Sequence, residues 1–172
     1  MIKYKNIKDK AEFYACKMHG LCHQMYDTHP YRFHLRGVVD VAKEFIHLIP
    51  VKDRDTVIAG SWSHDLIEDA GVTYNDVLKN TNLIVAEYSY ALTNDKGRNR
   101  AERANPGYYY GIRIYKHASF IKLCDRIANV RYGIEHKSKM VNMYKKEYES
   151  FRKELYDGRW EEMWATLDLL LK

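Results

Sequence analysis

The chain has 172 residues, 46% hydrophobic and 30% charged, a balance that excludes a disordered chain and fits one domain built on one core. No apolar run approaches the ~18 residues needed to span a bilayer, and residues 1–10 are lysine-rich without the apolar stretch of a signal peptide, so a cytoplasmic protein is expected. The net charge of +5 suits phosphorylated small molecules or nucleic acid, but no basic run of five or more residues singles out a nucleic-acid binder.

Helix dominates the pattern in chain order. Residues 8–26 read as a first helix, followed by an irregular Thr28-His29-Pro30-Tyr31 segment, because proline restricts the residue before it. Residues 36–48 place Val38, Val41, Ala42 and Phe45 at helical spacing, and Pro50 ends that stretch. Residues 53–69 read as one helix, with Gly71 as its stop signal. Thr73 caps a short helix, with Asp76 at the capping-box position, and residues 82–92 form another. Residues 93–107 are rich in turn formers and carry Arg98, Arg100 and Arg103, the composition of a functional loop. Residues 109–132 resume as a long helix. Tyr144, Tyr148, Phe151 and Leu155 mark one further stripe, and Trp160, Trp164, Leu167 and Leu171 the last, both read as core. The expectation is one all-α domain over residues 1–172, with helices over 137–171 packed on the rest. Cys16, Cys22 and Cys124 show no metal-site spacing and read as reduced, packed thiols.

Three segments carry chemistry. In Ser63-His64-Asp65-Leu66-Ile67-Glu68-Asp69, helical spacing sets Glu68 four residues after His64 and Asp69 four after Asp65. Carboxylates crowded beside an apolar segment repel one another and are costly to bury unpaired. A divalent cation resolves that conflict, since it accepts imidazole and carboxylate together. In Lys122-Leu123-Cys124-Asp125-Arg126-Ile127-Ala128-Asn129, one helix face offers a cation, a carboxylate and an amide. The third segment is His29-Pro30-Tyr31-Arg32-Phe33-His34. Alone, each reads as well as a solvated or amphipathic helix.

Together and in this order, with Leu92-Thr93 between the last two, these motifs resemble the HD hydrolase domain of RelA/SpoT homologues and small alarmone hydrolases. The resemblance covers about residues 11–135. It implies an HD-type helical bundle, a metal-dependent phosphohydrolase, and His34, His64, Asp65 and Asp125 as ligands of Mn2+ or another divalent metal. It assigns Glu68 and Asp69 to catalysis, at the attacking water. It assigns Asn129 and Lys122 to a phosphorylated nucleotide substrate, with Arg32, Arg98, Arg100 and Arg103 as candidates to neutralise phosphoryl charge. It implies neither a membrane nor a nucleic-acid partner, and no oligomeric state follows from it.

The family also carries a G-Q-x-R element whose arginine, nine residues before the first ligand histidine, packs on a guanine base. Counting back from His34 puts Met25 there and Cys22-His23 at the Gly-Gln positions. Methionine brings neither charge nor a planar face, so tyrosines between Arg100 and Tyr110 are candidates for base recognition instead. The leading expectation is removal of the 3′-pyrophosphate of a guanosine alarmone. The alternatives are hydrolysis of another nucleotide and a non-catalytic nucleotide sensor. The presence of both Glu68 and Asp69 speaks against the sensor.

Overall fold

The computed structural model describes residues 5–94 and 96–172. Residues 1–4 of the lysine-rich N-terminal stretch and Asp95 of the turn-rich stretch lie outside the described residues. Helices α1 (Ile7–Leu21), α2 (Arg32–Glu44) and α3 (Arg54–Ser63) form the first half of the bundle, with α1 and α2 both against α3. The short α4 (Leu66–Asp69) and α5 (Tyr74–Asn80) lead to α6 (Leu83–Leu92), which also packs on α3. After α7 (Arg100–Arg103) and α8 (Pro106–Ile114), the long α9 (Ala118–Glu135) lies along α2, and α10 (Met140–Leu155) and α11 (Glu161–Leu170) cover its other flank. No helix of the described residues is long and apolar enough to cross a membrane.

The sequence patterns explain most of these elements. Leu35, Val38, Val39, Val41 and Ala42 are the buried stripe of α2, and Phe120, Leu123, Cys124, Ile127 and Val130 that of α9, apolar residues at the 3.6 period of a core-facing helix. Tyr144, Phe151, Leu155, Trp164 and Leu167 join the same core. Thr73 and Asp76 close a full capping box, and Asn82, Asn99 and Asn105 each cap the next helix through the side-chain oxygen, satisfying amides that would otherwise lack a partner. Gly60 lets α3 approach its neighbours: a Cβ there would meet Ile121 Cδ1 at 2.7 Å and Tyr88 Cδ2 at 2.8 Å.

Five boundaries differ from the sequence expectation. The helix expected over 36–48 starts earlier, as α2 over Arg32–Glu44. The first helix stops at Leu21, and β1 (Met25–Tyr26) pairs antiparallel with β2 (His29–Pro30) in a small hairpin. The span 53–69 is two helices with a turn at His64-Asp65. The span 109–132 breaks at residues 115–117, between α8 and α9. The stretch 93–107 is not loop throughout, because it contains α7. Of the three free cysteines, Cys124 is buried and Cys16 half-buried, but Cys22 is exposed, its thiol donating to the Ala70 carbonyl at 3.2 Å.

Candidate metal centre

Three helices bring four side chains to one point. His34 comes from the first turns of α2, His64 and Asp65 from the turn that ends α3, and Asp125 from the middle of α9. His34 Nε2 lies 3.6 Å from Asp65 Oδ2 and 3.4 Å from Asp125 Oδ1. His64 Nε2 lies 2.9 Å from Asp65 Oδ2 and 3.9 Å from Asp125 Oδ1. One ligand atom from each of His34, His64 and Asp125 falls within 4.8 Å of the others, and Asp65 stands against both imidazoles. The chain leaves regular helix at His64-Asp65, between α3 and α4, and both neighbours face the cluster.

The donors fit a divalent cation. His64 is 1% exposed, and its Nδ1–H donates to the Ser61 carbonyl at 2.9 Å. That bond fixes the tautomer and turns the Nε2 lone pair toward the two carboxylates. Nε2 is buried, with the Asp65 and Asp125 carboxylate oxygens 2.9 and 3.9 Å away, an arrangement that a cation would complete. Two imidazoles and two carboxylates form a donor set that first-row divalent metals accept.

The remaining bonds lock the carboxylates. Tyr31 Oη donates to Asp65 Oδ2 at 2.5 Å and lies 3.3 Å from Asp69 Oδ2. Lys122 Nζ donates to Asp125 Oδ2 at 3.2 Å, and Asn129 Nδ2 donates to Asp125 Oδ1. Burial would depress the pKa of His34, but hydrogen bonds and charge from Asp125 and Asp65 raise it to about 9. His64 is raised in the same way against burial, mainly by Asp65. Burial would raise Asp65 and Asp125, yet the imidazoles hold Asp65 well below the usual carboxylate range, and Lys122 with His34 does the same for Asp125. Burial and the Asp65 charge push the Tyr31 phenol up, so it stays protonated and donates.

The centre opens into a polar cavity of about 140 Å³. Glu68 and Asp69, on α4, line it, as do Asn94, Arg100, Lys122 and Asn129. Glu68 accepts from the Asn94 side-chain amide at 2.7 Å and from the Asn94 backbone N–H at 3.2 Å. Arg100 lies at the edge, paired with Glu147 at 2.6 Å. Three candidate substrate residues, Arg32, Arg103 and Arg98, stand elsewhere. Arg32 is exposed beside α1, in a groove with Glu12 and Cys16. Arg103 is exposed on α7 and lines neither the centre's cavity nor the one beside it. Arg98 is 91% exposed and paired with Glu102. Asn129 is engaged in structure, since it donates to Asp125 and accepts from Tyr26 Oη at 2.8 Å.

The hairpin changes the assignment of Met25. Successive strand residues face opposite sides. Met25 is 52% exposed, while Tyr26 turns inward, its ring stacked on His34 at 4.7 Å. Tyr26, not Met25, lines the cavity. Tyr108 and Tyr109 are buried wall residues, Tyr108 bonded to the Leu92 carbonyl, so the tyrosine run is mostly core rather than an open base platform. Sequence reading also missed Arg126 and Tyr144. Arg126 is 4% exposed, with its guanidinium carbon 4.7 Å from the Tyr144 ring centroid, and both line the cavity. The signal for Arg126 was its place beside Asp125; Tyr144 lay within a stripe read wholly as core.

No protein-family model and no curated protein sequence matches the chain. A solved structure described as that of a metazoan ortholog of SpoT that hydrolyzes ppGpp and plays a role in starvation responses is similar, with a TM-score of 0.75 and 19% identity over 99% of this chain and 96% of that one. The chain therefore shares the all-helical fold of that protein, and the likeness extends over α10 and α11, beyond the sequence motifs.

Proposed function

We propose that this chain is a metal-dependent phosphohydrolase that removes the 3′-pyrophosphate of a guanosine alarmone, with Mn2+ as its metal and the cytoplasm as its compartment. The observation that carries the reading is the convergence of His34, His64, Asp65 and Asp125 at the floor of a cavity whose wall holds Glu68 and Asp69. The fold shared with a ppGpp-hydrolysing protein supports it.

When bound, the cation supplies an acidified water and polarises a phosphoryl oxygen. The chain supplies the rest. His34, His64, Asp65 and Asp125 would hold the ion. Glu68, fixed by Asn94, and Asp69, close to Tyr31 Oη, are the carboxylates placed to accept the proton of the attacking water. Arg100 and Lys122 offer positive charge to a phosphoryl group in the cavity. A binder without chemistry would gain nothing from two acceptor carboxylates beside the ligands.

The test is to incubate the Mn2+-loaded protein with guanosine 3′,5′-bispyrophosphate and a panel of nucleoside mono-, di- and triphosphates, and to resolve the products by chromatography. Release of pyrophosphate with GDP is expected. Cleavage confined to another nucleotide would reassign the substrate and keep the reaction class. No turnover on any nucleotide, with metal bound, would overturn the reading.

A further inference from the structure

The cluster draws its ligands from α2, α9 and the turn after α3, but a fourth element reaches two of them. Tyr26, on strand β1 of the hairpin, stacks on the imidazole of His34, with centroids 4.7 Å apart and an interplanar angle of 17°. Its Oη lies 2.8 Å from Asn129 Oδ1. Asn129 in turn donates through Nδ2 to Asp125 Oδ1 and, at 3.0 Å, to the Asp125 backbone carbonyl. One side chain thus reaches His34 directly and Asp125 through a single amide.

Chemistry fixes the direction of each bond. An ionised carboxylate only accepts, so the Asn129 NH2 faces Asp125 and its carbonyl oxygen faces Tyr26. The phenol is therefore the donor, and burial pushes its pKa up, which keeps the proton on it. Rotation of the amide would set its oxygen against Asp125 Oδ1, two acceptors in contact, and the Tyr26 hydroxyl opposes that rotation. The ring acts differently. His64 is oriented by its hydrogen bond to the Ser61 carbonyl, whereas His34 has Tyr26 on its face and Tyr31 edge-on at 5.3 Å. Tyr26 is itself held. Tyr132 stands edge-on to it at 4.9 Å, and Asp27 at the hairpin tip accepts from Tyr132 Oη at 2.9 Å. Across the base of the hairpin the Tyr31 backbone N–H donates to the Gln24 carbonyl at 3.1 Å.

We propose that Tyr26 is a positioning residue of the metal centre: its hydroxyl aims Asp125 through Asn129, its ring aims His34, and the hairpin is thereby a fourth element of the site. The proposal rests on the metal reading of the cluster, and it assigns Asn129 to the ligand Asp125.

The test titrates Mn2+ into the metal-free native protein, Tyr26→Phe, Tyr26→Leu, Asn129→Ala and the double variant of Tyr26→Phe with Asn129→Ala, with circular dichroism of each metal-free protein as the check on folding. Tyr26→Phe keeps the stacked ring and loses only the bond. Its affinity should fall by roughly tenfold or more, the scale for groups that orient ligands. Tyr26→Leu should fall further, because His34 loses its stacked face. Asn129→Ala already removes the group through which the hydroxyl acts, so adding Tyr26→Phe to it should bring no further loss. Co2+ in place of Mn2+ gives a signature that a general loss of stability would not produce. A re-aimed carboxylate changes the ligand field, so the visible bands of Tyr26→Phe should differ from native. Native-like affinity in Tyr26→Phe, or losses that add in the double variant, overturns the proposal and leaves the metal centre standing. A native protein that binds neither ion overturns the metal reading and this proposal with it.

Discussion

Tyr31 Oη and Asp65 Oδ2 lie 2.5 Å apart, with the phenol raised above its ordinary range and therefore always the donor. This bond takes up one lone pair of Asp65 and aims the carboxylate at the two imidazoles. The ring beneath it is held too, stacked on His19 at 4.5 Å, while His19 is held by Gln24 at 2.6 Å. Tyr31→Phe keeps the stacked ring and removes only the bond. Metal affinity should fall by ~10- to 100-fold, as for other partners that orient ligands, with little change in thermal stability of the metal-free protein. Metal titration of both proteins checks this; unchanged affinity would mean that Asp65 is oriented by other groups.

Glu68→Gln and His64→Ala separate catalysis from metal binding. The first keeps the shape and one of the two Asn94 hydrogen bonds but loses the proton acceptor. Turnover should drop ~10²- to 10⁴-fold with metal content near native. The second removes a buried ligand and should lose the metal. Equal metal loss in both, measured by elemental analysis after desalting, would make Glu68 a ligand.

The raised pKa of His34 predicts how the site responds to pH. In the metal-free protein, against burial, the Asp125 and Asp65 carboxylates push the His34 pKa up from the ordinary 6.5 to about 9, so its protonated form contributes stability that is complete below about 6.5 and lost as pH rises through about 9. Metal needs the neutral ring. Affinity should therefore climb as pH rises from 6.5 toward about 9, by up to ~tenfold per pH unit for each proton displaced, and binding should release protons. Calorimetric titrations in buffers of different ionisation enthalpy measure both. An affinity independent of pH over this window would show that the imidazoles are already neutral.

Arg100 sits at the edge of the cavity, whereas Arg103 and Arg32 lie outside it. Arg100→Ala should remove a charge-assisted phosphate contact worth ~1.5–3 kcal/mol and raise KM by roughly tenfold or more. Arg103→Ala and Arg32→Ala should behave as native. A larger effect at Arg103 than at Arg100 would mean that α7 moves toward the substrate.

The four ligand candidates and the two candidate catalytic carboxylates could be picked out because each sits in a short motif whose internal spacing is set by local backbone geometry. What spacing could not give was direction. The turn at His64-Asp65 lacks a proline or glycine to announce it, and the chain reads as unbroken helix there. Over residues 23–30 Pro30 announced an irregular segment but not a hairpin, and the hairpin, with His23 and Asp27 in the left-handed region, shifts the inward side chain from Met25 to Tyr26. Arg126 and Tyr144 became visible only once α10 was seen folded back on α9, a long-range contact that no local pattern encodes. For Arg32, which lines another groove, adjacency in sequence to a motif residue said nothing about which side of α2 it occupies.

The two neighbours His64 and Asp65 face partners drawn from α2 and α9, so the cluster joins three segments that are far apart along the chain. A cation bound there would act as a removable cross-link, closing two long loops at once without a covalent bond. Folding and loading would then be linked: metal concentration would set how tightly α2, α3 and α9 are tied, and a chelator would loosen the bundle at that seam.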